Sequence, residues 1–404
     1  MTTSKVDVLV AGAGPTGLAL SCFLEKSGIS FLTVEPHEKA TDKSKALGVH
    51  AGVLEVLEAS LGKALVEELI SNGRPTRVAF IHFGEKKPVL VNLGNIPSKY
   101  NFVLILEQSK TEKILENYLN KKGHFAVRGQ SLLSFTQKEK TVLSTYGTKD
   151  SKTEVESLFL VGCDGAHSTT RHLANIDFEG AAYDASFFLI DADIDWEFSY
   201  DSVRLFVNDL GVIGCFPLSS EHQTRKYRIV LVPKNQTLGI FERQNYSDFE
   251  LFKHLLDSIR PNLVKVTNVD WFSRFRVHHR LASHYQNKRV FLAGDAAHIH
   301  SPVGGQGMNT GIIDAFNLAR NLKRTLGENS NLDLFRYENQ RRPIGSRVVS
   351  MTDRVTRFGI ENDSLALKVI RDHLGPSIVR LPFVQKLILS EISQVKIGRH
   401  ELNR

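Results

Sequence analysis

The segment that most limits how this chain can fold is residues 6–35, VDVLVAGAGPTGLALSCFLEKSGISFLTVE. Residues 6–11 form a short β-branched run, the pattern of a strand buried on both faces of a parallel sheet. Residues 12–17 are a glycine turn. LALSCFLEKSG then has helical spacing and stops at Gly28, and residues 29–35 are a second strand-like run. Strand, tight turn, helix and strand in so short a stretch make a βαβ unit. Such a unit commits the chain to a parallel sheet with helices laid against it.

The turn carries Gly12, Gly14 and Gly17 at G-x-G-x-x-G spacing. The first glycine allows the tight turn, the second lets backbone approach a pyrophosphate, and the third lets helix and strand pack closely. Pro15 and Thr16 open a helix whose free N–H groups face an anion. Glu35 ends the next strand, where a carboxylate accepts hydrogen bonds from a ribose diol. Strand, glycines, helix and acid together predict a dinucleotide site. FAD and NAD(P) are equally served by this motif.

Composition narrows the remaining classes. The chain has 404 residues, 42% of them hydrophobic and 24% charged, which suits two or three cored domains and argues against disorder. The net charge of +7 is scattered. Its longest cluster, Arg341-Arg342, is too short for a nucleic-acid arm, and no zinc-finger, basic-zipper or RNA-binding motif is present. The charge reads as a solvated basic surface, with no nucleic-acid partner expected. Cys22, Cys163 and Cys215 are widely spaced, with no C-x-x-C. That argues against a disulfide framework and structural zinc, so no metal site is expected, and it suits a cytoplasmic location. No apolar run is long enough for a membrane span, and MTTSK leads straight into the first strand rather than into a signal sequence.

Along the chain, residues 45–70 look helical, 76–106 strand-like, and 106–123 form an amphipathic helix. Strands are expected at 125–136, 141–146 and 156–168. Residues 180–280 carry short alternating or apolar runs, the signature of an antiparallel sheet, interrupted by a helix at 247–260. A buried strand returns near 289, a long helix follows, and the chain is mostly helical from about 333. VQKLILSEISQV, 384–395, reads as a packed helix rather than a membrane anchor. The expected fold class is α/β: a discontinuous Rossmann-like domain (1–72, 103–178 and 280–345), an inserted β-sheet domain (73–102 and 179–279) and a helical C-terminal region (346–404).

Two further motifs suggest a long ligand. VGCDGAHSTTR, 161–171, ends a strand in Asp164-Gly165, which alone is an ordinary turn. LAGDAAHIHSPVGGQGMN, 292–309, places Asp295 at a strand mouth, able to bind a second diol, and then opens a helix with GGQGMN. A polyol-and-anion site remote from the first nucleotide loop suits FAD, which carries adenosine, pyrophosphate, ribityl chain and flavin.

With these residues the sequence resembles the class A flavoprotein monooxygenases, the group of para-hydroxybenzoate hydroxylase and the phenol and polyketide aromatic hydroxylases. GAGPTGLAL, CDGAHSTTR and GDAAHIHSPVGGQGMNTGIIDAFNLA are similar to the family's three ordered motifs, and LEQSKTEKIL to a segment whose Gln contacts the flavin side. The resemblance implies that the Rossmann-like domain binds FAD through Gly12, Gly14, Pro15, Thr16, Gly17 and Glu35. It implies that Gln108 and Asp164 also contact cofactor, Asp164 serving both FAD and reduced pyridine nucleotide. Gly294 and Asp295 fall at the ribityl chain, Pro302 near the reacting edge of the flavin, and Gly305, Gly307, Met308 and Asn309 at its pyrimidine side. It further implies that NADPH or NADH reduces FAD, that O2 yields a C4a-hydroperoxyflavin, and that an aromatic or polyketide-like small molecule is hydroxylated. The flavin, not a catalytic side chain, carries this chemistry. His300, beside His298, and Pro302 are the nearest candidates for a direct role. Lys45 stands where relatives often carry arginine, and Ala51-Gly52 occupies the region of another. The substrate is expected against the inserted sheet, facing Arg204, Phe206, Phe216 and Arg228, with Phe187 nearby; period two sends half of these to the opposite face. An epoxidase, halogenase or reductase of the same fold, or a non-catalytic flavin-binding protein, are the alternatives. A monomer or homodimer is expected.

Overall fold

The computed structural model describes residues 4–41, 46–218, 225–328, 335–357 and 374–404. Strand β1 (Ser4–Ala11), helix α1 (Pro15–Ser27) and strand β2 (Phe31–Glu35) form the βαβ unit read from sequence. β1 pairs in parallel with β2 on one side and with Lys152–Gly162 on the other. Val290–Leu292 and Val127–Arg128 extend this parallel core outward. Val8, Leu9 and Val10 are fully buried, as expected of a central strand covered on both faces. The three strands Ser131–Gln137, Val142–Gly147 and Lys152–Gly162 make an antiparallel flap on the same sheet.

The second sheet has eight strands. Phe178–Asp195 and Lys265–Ala282 run antiparallel through its middle. Sequence suggested several short runs there; the structure has two long strands of 18 residues each, kept continuous by bulges. Val78–Phe83 and Val89–Asn92 join the far edge, so residues from before the helix Gln108–Asn120 complete a sheet built mostly from residues after it. One face of this sheet packs on the helix Asp248–Ile259 through Phe252, Leu255 and Ile259. That helix starts at a capping box, Ser247 with Glu250, which the sequence S-D-F-E anticipates.

Two further details differ from the sequence reading. The expected helix at 45–70 is a short strand, Leu47–Val49, then two helices, Ala51–Leu61 and Lys63–Asn72. Gly62, with φ 102°, separates them. An additional helix, Asn235–Glu242, lies between the sheet and the expected helix. Among the described residues no helix is long and apolar enough to cross a membrane.

Candidate functional site

The glycines of the first loop have different neighbours. A Cβ on Gly12 would lie 2.4 Å from the Cys163 carbonyl oxygen, and one on Gly17 would lie 2.0 Å from the Gly12 carbonyl oxygen. The start of α1 is therefore pressed onto the loop, and the loop onto the end of the strand bearing the second motif. Gly12 also has φ +104°, a conformation that L side chains rarely adopt. At Gly14, the N-cap of α1, a Cβ would meet nothing within 4 Å. The one glycine without a packing partner is the one in front of the helix N-terminus.

Glu35 is buried and clasps this loop. Its Oε2 accepts from Ala13 N–H at 2.7 Å and its Oε1 from His37 N–H at 3.1 Å. Oε1 also meets His37 Nδ1 at 2.6 Å, so Oε2 is the oxygen that keeps capacity for a further donor such as a hydroxyl. Thr16, in the first turn of α1, is the meeting point with the third motif. Cβ atoms on Gly294 and Gly311 would lie 2.4 and 2.3 Å from its Oγ1.

The second motif shapes itself. Asp164 accepts from Ser168 Oγ at 2.5 Å and from Thr170 N–H and Oγ1, both at 2.9 Å. Its carboxylate is thus engaged by its own loop. Arg171 then donates to the Ala296 carbonyl oxygen at 2.9 Å, tying the second motif to the third.

Asp295 is solvent-accessible yet surrounded by protein, and this crowding raises its carboxyl above the usual range, against the opposing pull of His298. Pro302 is exposed at the same loop, Gly307 is half-buried and Met308 is buried. Gly305 adopts φ +63°, and a Cβ there would stand 3.4 Å from both the His50 ring and the Leu47 carbonyl oxygen. Asn309 is fully buried and spent on the protein. Its Oδ1 accepts from His50 N–H at 2.8 Å, and its Nδ2 donates to the carbonyls of Gly305 at 2.8 Å and Gly48 at 3.1 Å. It holds the loop in shape, while Gly305 and Gly307 form the surface.

Gln108 opens its helix and donates to Glu112 at 2.8 Å. Its backbone N–H reaches the Ala46 carbonyl oxygen at 3.3 Å, which Arg228 Nη1 also approaches at 3.4 Å. The second sheet thus meets the nucleotide-type half at Ala46. Lys45, the expected neighbour, lies outside the described residues.

The four sheet residues divide as strand periodicity requires. Arg228 lies on the face toward Ala46, in a bidentate pair with Asp191 at 2.7 and 2.6 Å. Phe216 is its cross-strand neighbour on that face. Arg204 and Phe206 do not join them. They are on the opposite face, with Phe206 in the helix-covered core and Arg204 between the rings of Phe198 (4.1 Å) and Phe80 (4.4 Å). Arg204 and Phe206 are a two-residue step on one strand, so both share the face away from Ala46, and the expected set of four does not come together on one face.

The sequence reading missed the part played by the chain's last residues. Gln394, buried and with φ 53°, donates to Thr310 Oγ1 at 3.0 Å and to Gln306 Oε1, within the flavin-type motif. A Cβ on Gly52 would lie 2.3 Å from the Gln394 carbonyl oxygen, and one on Gly398 would lie 2.6 Å from Gly52 O. The helix Val395–Leu402 therefore fills the space beside Gly52, where relatives were expected to carry arginine. The departure at Ala51-Gly52 was the available signal: a small residue in an otherwise matching motif marks a close neighbour.

Two buried imidazoles flank the loop. His300 Nδ1 donates to the Ser301 carbonyl oxygen at 2.9 Å, while His300 Nε2 and His50 Nδ1 have no partner among the described residues. Burial lowers both histidines from 6.5 to about 4, helped for His300 by His298. The unfolded chain therefore binds protons near pH 6.5 that the folded chain refuses until about pH 4. Stability contributed by the neutral rings is present above 6.5 and is lost as pH falls through that window, up to ~3 kcal/mol each. Thermal unfolding followed from pH 7 to 4 should show this loss, and His300→Gln should remove about half of it. A profile identical in wild type and variant would show that the ring is not held neutral.

These features fit FAD. An open helix N-terminus suits a pyrophosphate, Glu35 and Asp295 on either side suit hydroxyl groups, and the Gly305–Gly307 backbone with an orphan imidazole nitrogen suits a flat polar ring edge.

Comparison with known proteins agrees. Residues 5–352 match the family described as FAD binding domain. The chain is 30% identical over 410 residues to an uncharacterized aromatic compound monooxygenase, YhjG, of Bacillus subtilis (strain 168), covering 99% of this chain and 77% of that protein. It is 32% identical over 367 residues to 12-dehydrotetracycline 5-monooxygenase/anhydrotetracycline 6-monooxygenase of Streptomyces rimosus, covering 86% and 69%. The fold is shared with the crystal structure of p-nitrophenol 4-monooxygenase PnpA from Pseudomonas putida DLL-E4, at TM-score 0.83 and 19% identity, covering 97% of this chain and 99% of that one.

Proposed function

The chain belongs to the FAD-binding-domain family and is an FAD-dependent monooxygenase of the class A aromatic hydroxylase type, and we propose which of its residues hold the cofactor and where its substrate lies. One observation carries the proposal: three loops distant in sequence meet, through Gly12 on Cys163, Thr16 on Gly294 and Arg171 on Ala296.

The pyrophosphate belongs before Gly14, Pro15 and Thr16, where the N–H groups of α1 are free and its dipole is positive. Glu35 takes the adenosine ribose and Asp295 the ribityl chain. Gly305, Gly307 and Met308 offer backbone to the pyrimidine edge, with the N-terminus of Gln306–Glu328 behind them to favour negative charge there. Asp164, Gly294 and Asn309 position these loops, and Gln108 borders the ring side. When bound, FAD would supply the redox chemistry, with NADPH or NADH as reductant and O2 as the source of the oxygen atom transferred, its second atom leaving as water.

The chain's own task is to orient the substrate and exclude water. The space between Pro302 and the sheet face bearing Phe216 and Arg228 suits a flat ring, since Asp191 already neutralises Arg228. The discontinuous nucleotide half is proposed as the FAD domain and the second sheet as the substrate domain. The substrate class is a phenolic aromatic or polyketide-like molecule, in line with the aromatic compounds and tetracyclines named for the relatives. Three free, buried cysteines suit a reducing cytoplasm.

Purified protein should be yellow, with about one FAD released per chain on denaturation. NADPH or NADH oxidation should rise at least about tenfold with a suitable phenol or fused-ring polyketide, with oxygen uptake and a product heavier by one oxygen atom. Protein that stays colourless and takes up no added FAD would end this reading. Flavin turnover that no ring compound stimulates would leave FAD but refute the substrate class.

A further inference from the structure

The two helices before the C-terminal one carry an apolar face that nothing in the described fold covers. Leu374, Ile378, Leu381, Phe383 and Leu387 are 41% to 62% exposed. They run along helix Gly375–Arg380, the turn at Leu381 and helix Pro382–Ser393, whose other side buries Leu389 and Ser393. The sequence expectation of a packed helix thus holds for one side of it. The face is firmly mounted. Gln385 Nε2 donates to Leu90 O at 3.0 Å and Arg380 Nη2 to Lys87 O at 3.1 Å, so one helix is pinned to the edge strand Val89–Asn92 and the other to the residues leading into it. Between Pro382–Ser393 and Arg336–Thr356 lies an open groove of about 550 Å³, with Met351, Val355 and Leu387 as its apolar lining.

Among the described residues the charges around this face are mostly basic. Arg347 and Arg354 edge the groove, and Lys87, Arg380 and Lys386 flank the helices. The acid lining the groove, Glu391, is paired with Arg347 at 2.5 Å. A second copy of the chain would set this basic rim against itself, and like charges across an interface are costly. An anionic lipid surface satisfies both halves: apolar side chains enter the headgroup–acyl boundary while cations meet phosphates. We propose that the Leu374–Leu387 face docks this protein on an anionic bilayer, with helix Pro382–Ser393 lying in the plane of the surface. The chain's net charge of +7 supports the approach. The same helix accepts from Gln306 Nε2 through Glu391 O at 3.1 Å, which places the lipid one helix away from the Gly304–Gln306 loop. The docking itself rests on the exposed face and its charge, not on the reading of the flavin site.

The test uses the full chain with FAD bound, sedimented with vesicles of equimolar phosphatidylglycerol and phosphatidylcholine or of phosphatidylcholine alone. Wild type should partition onto the anionic vesicles at least about tenfold better, and lose that preference at high salt. Phe383→Asp with Leu387→Asp should abolish binding, and Arg354→Glu with Lys386→Glu should weaken it about tenfold or more, both with flavin absorbance and melting temperature retained. Wild type left in the supernatant with anionic vesicles would overturn the proposal, as would either variant binding like wild type. Light scattering on the same samples decides the competing occupant: a dimer that the Phe383/Leu387 variant dissociates would assign the face to self-association and refute lipid docking.

Discussion

Gly14→Val is expected to give a folded protein without FAD, and Gly17→Ala to give little folded protein at all. The two glycines stand three residues apart in one motif, yet a Cβ on Gly14 meets no atom within 4 Å while one on Gly17 lies 2.0 Å from a backbone oxygen. Gly14 has φ −73° and ψ −176°, ordinary values for a residue with a side chain. A Cβ there meets no protein atom within 4 Å and needs no unusual backbone angle. The valine methyl groups occupy the space before the α1 N-terminus, where the proposed pyrophosphate needs backbone contact, so FAD affinity should fall at least about a hundredfold.

At Gly17 the collision is with the Gly12 carbonyl, which is itself fixed against Cys163, so neither partner can yield like a flexible side chain. Overpacking of this kind costs about 3 kcal/mol or more, a large part of a typical stability of roughly 5–15 kcal/mol. The FAD-free forms must be compared, because bound ligand adds stability by mass action. Thermal melting of apoprotein and titration of FAD by fluorescence separate the effects. Gly14→Val binding FAD like wild type would remove the pyrophosphate assignment; Gly17→Ala melting like wild type would show that the loop is not packed as described.

The difference between these glycines also shows what could be read in the sequence. Spacing between a strand and a helix identified βαβ architecture and the loop, because Val8, Leu9 and Val10 are apolar on both faces and the helix stops at Gly28. Family resemblance located the other two loops. What remained out of reach was direction. Phe206 and Phe216 look alike in sequence, but pleat and register decide which face each takes, and register is a property of paired strands. Asp164 and Asn309 likewise have the composition of ligand contacts; Asp164 is spent on Ser168 and Thr170 of its own loop, and Asn309 on His50 and Gly48, far away in the chain. The C-terminal residues gave no motif at all, since their contribution is made through a single buried glutamine and the absence of a side chain at Gly52.

The same C-terminal helix completes a buried ionic chain, and breaking it should be the most damaging single change away from the cofactor loops. Arg341 donates to Asp314 at 2.6 Å and lies 3.3 Å from Glu401, with all three side chains 0–1% exposed. Asp314 in turn accepts from His298 at 2.7 Å and from Gly294 N–H at 3.3 Å, behind Asp295. Glu401 also takes Asn317 at 2.6 Å and Arg320 at 2.9 Å. Burial alone would push the Asp314 carboxyl up, but Arg341 and His298 hold it below its ordinary value. Its stabilising charge is thus present above the unfolded-state range near 4 and is lost as pH falls through the lower folded value. Arg341→Met leaves two carboxylates buried with a cation removed between them, a loss of about 3–5 kcal/mol. Melting should drop by ~5–10 °C at neutral pH, and FAD should dissociate faster because the Gly294 turn loses its anchor. Buried charges are costly only when unmatched, so Arg341→Met combined with Asp314→Asn and Glu401→Gln should recover at least about half of the loss. Arg341→Met with wild-type melting would mean that the chain is not energetically coupled; a triple variant worse than the single one would mean that the ions contribute more than their mutual compensation.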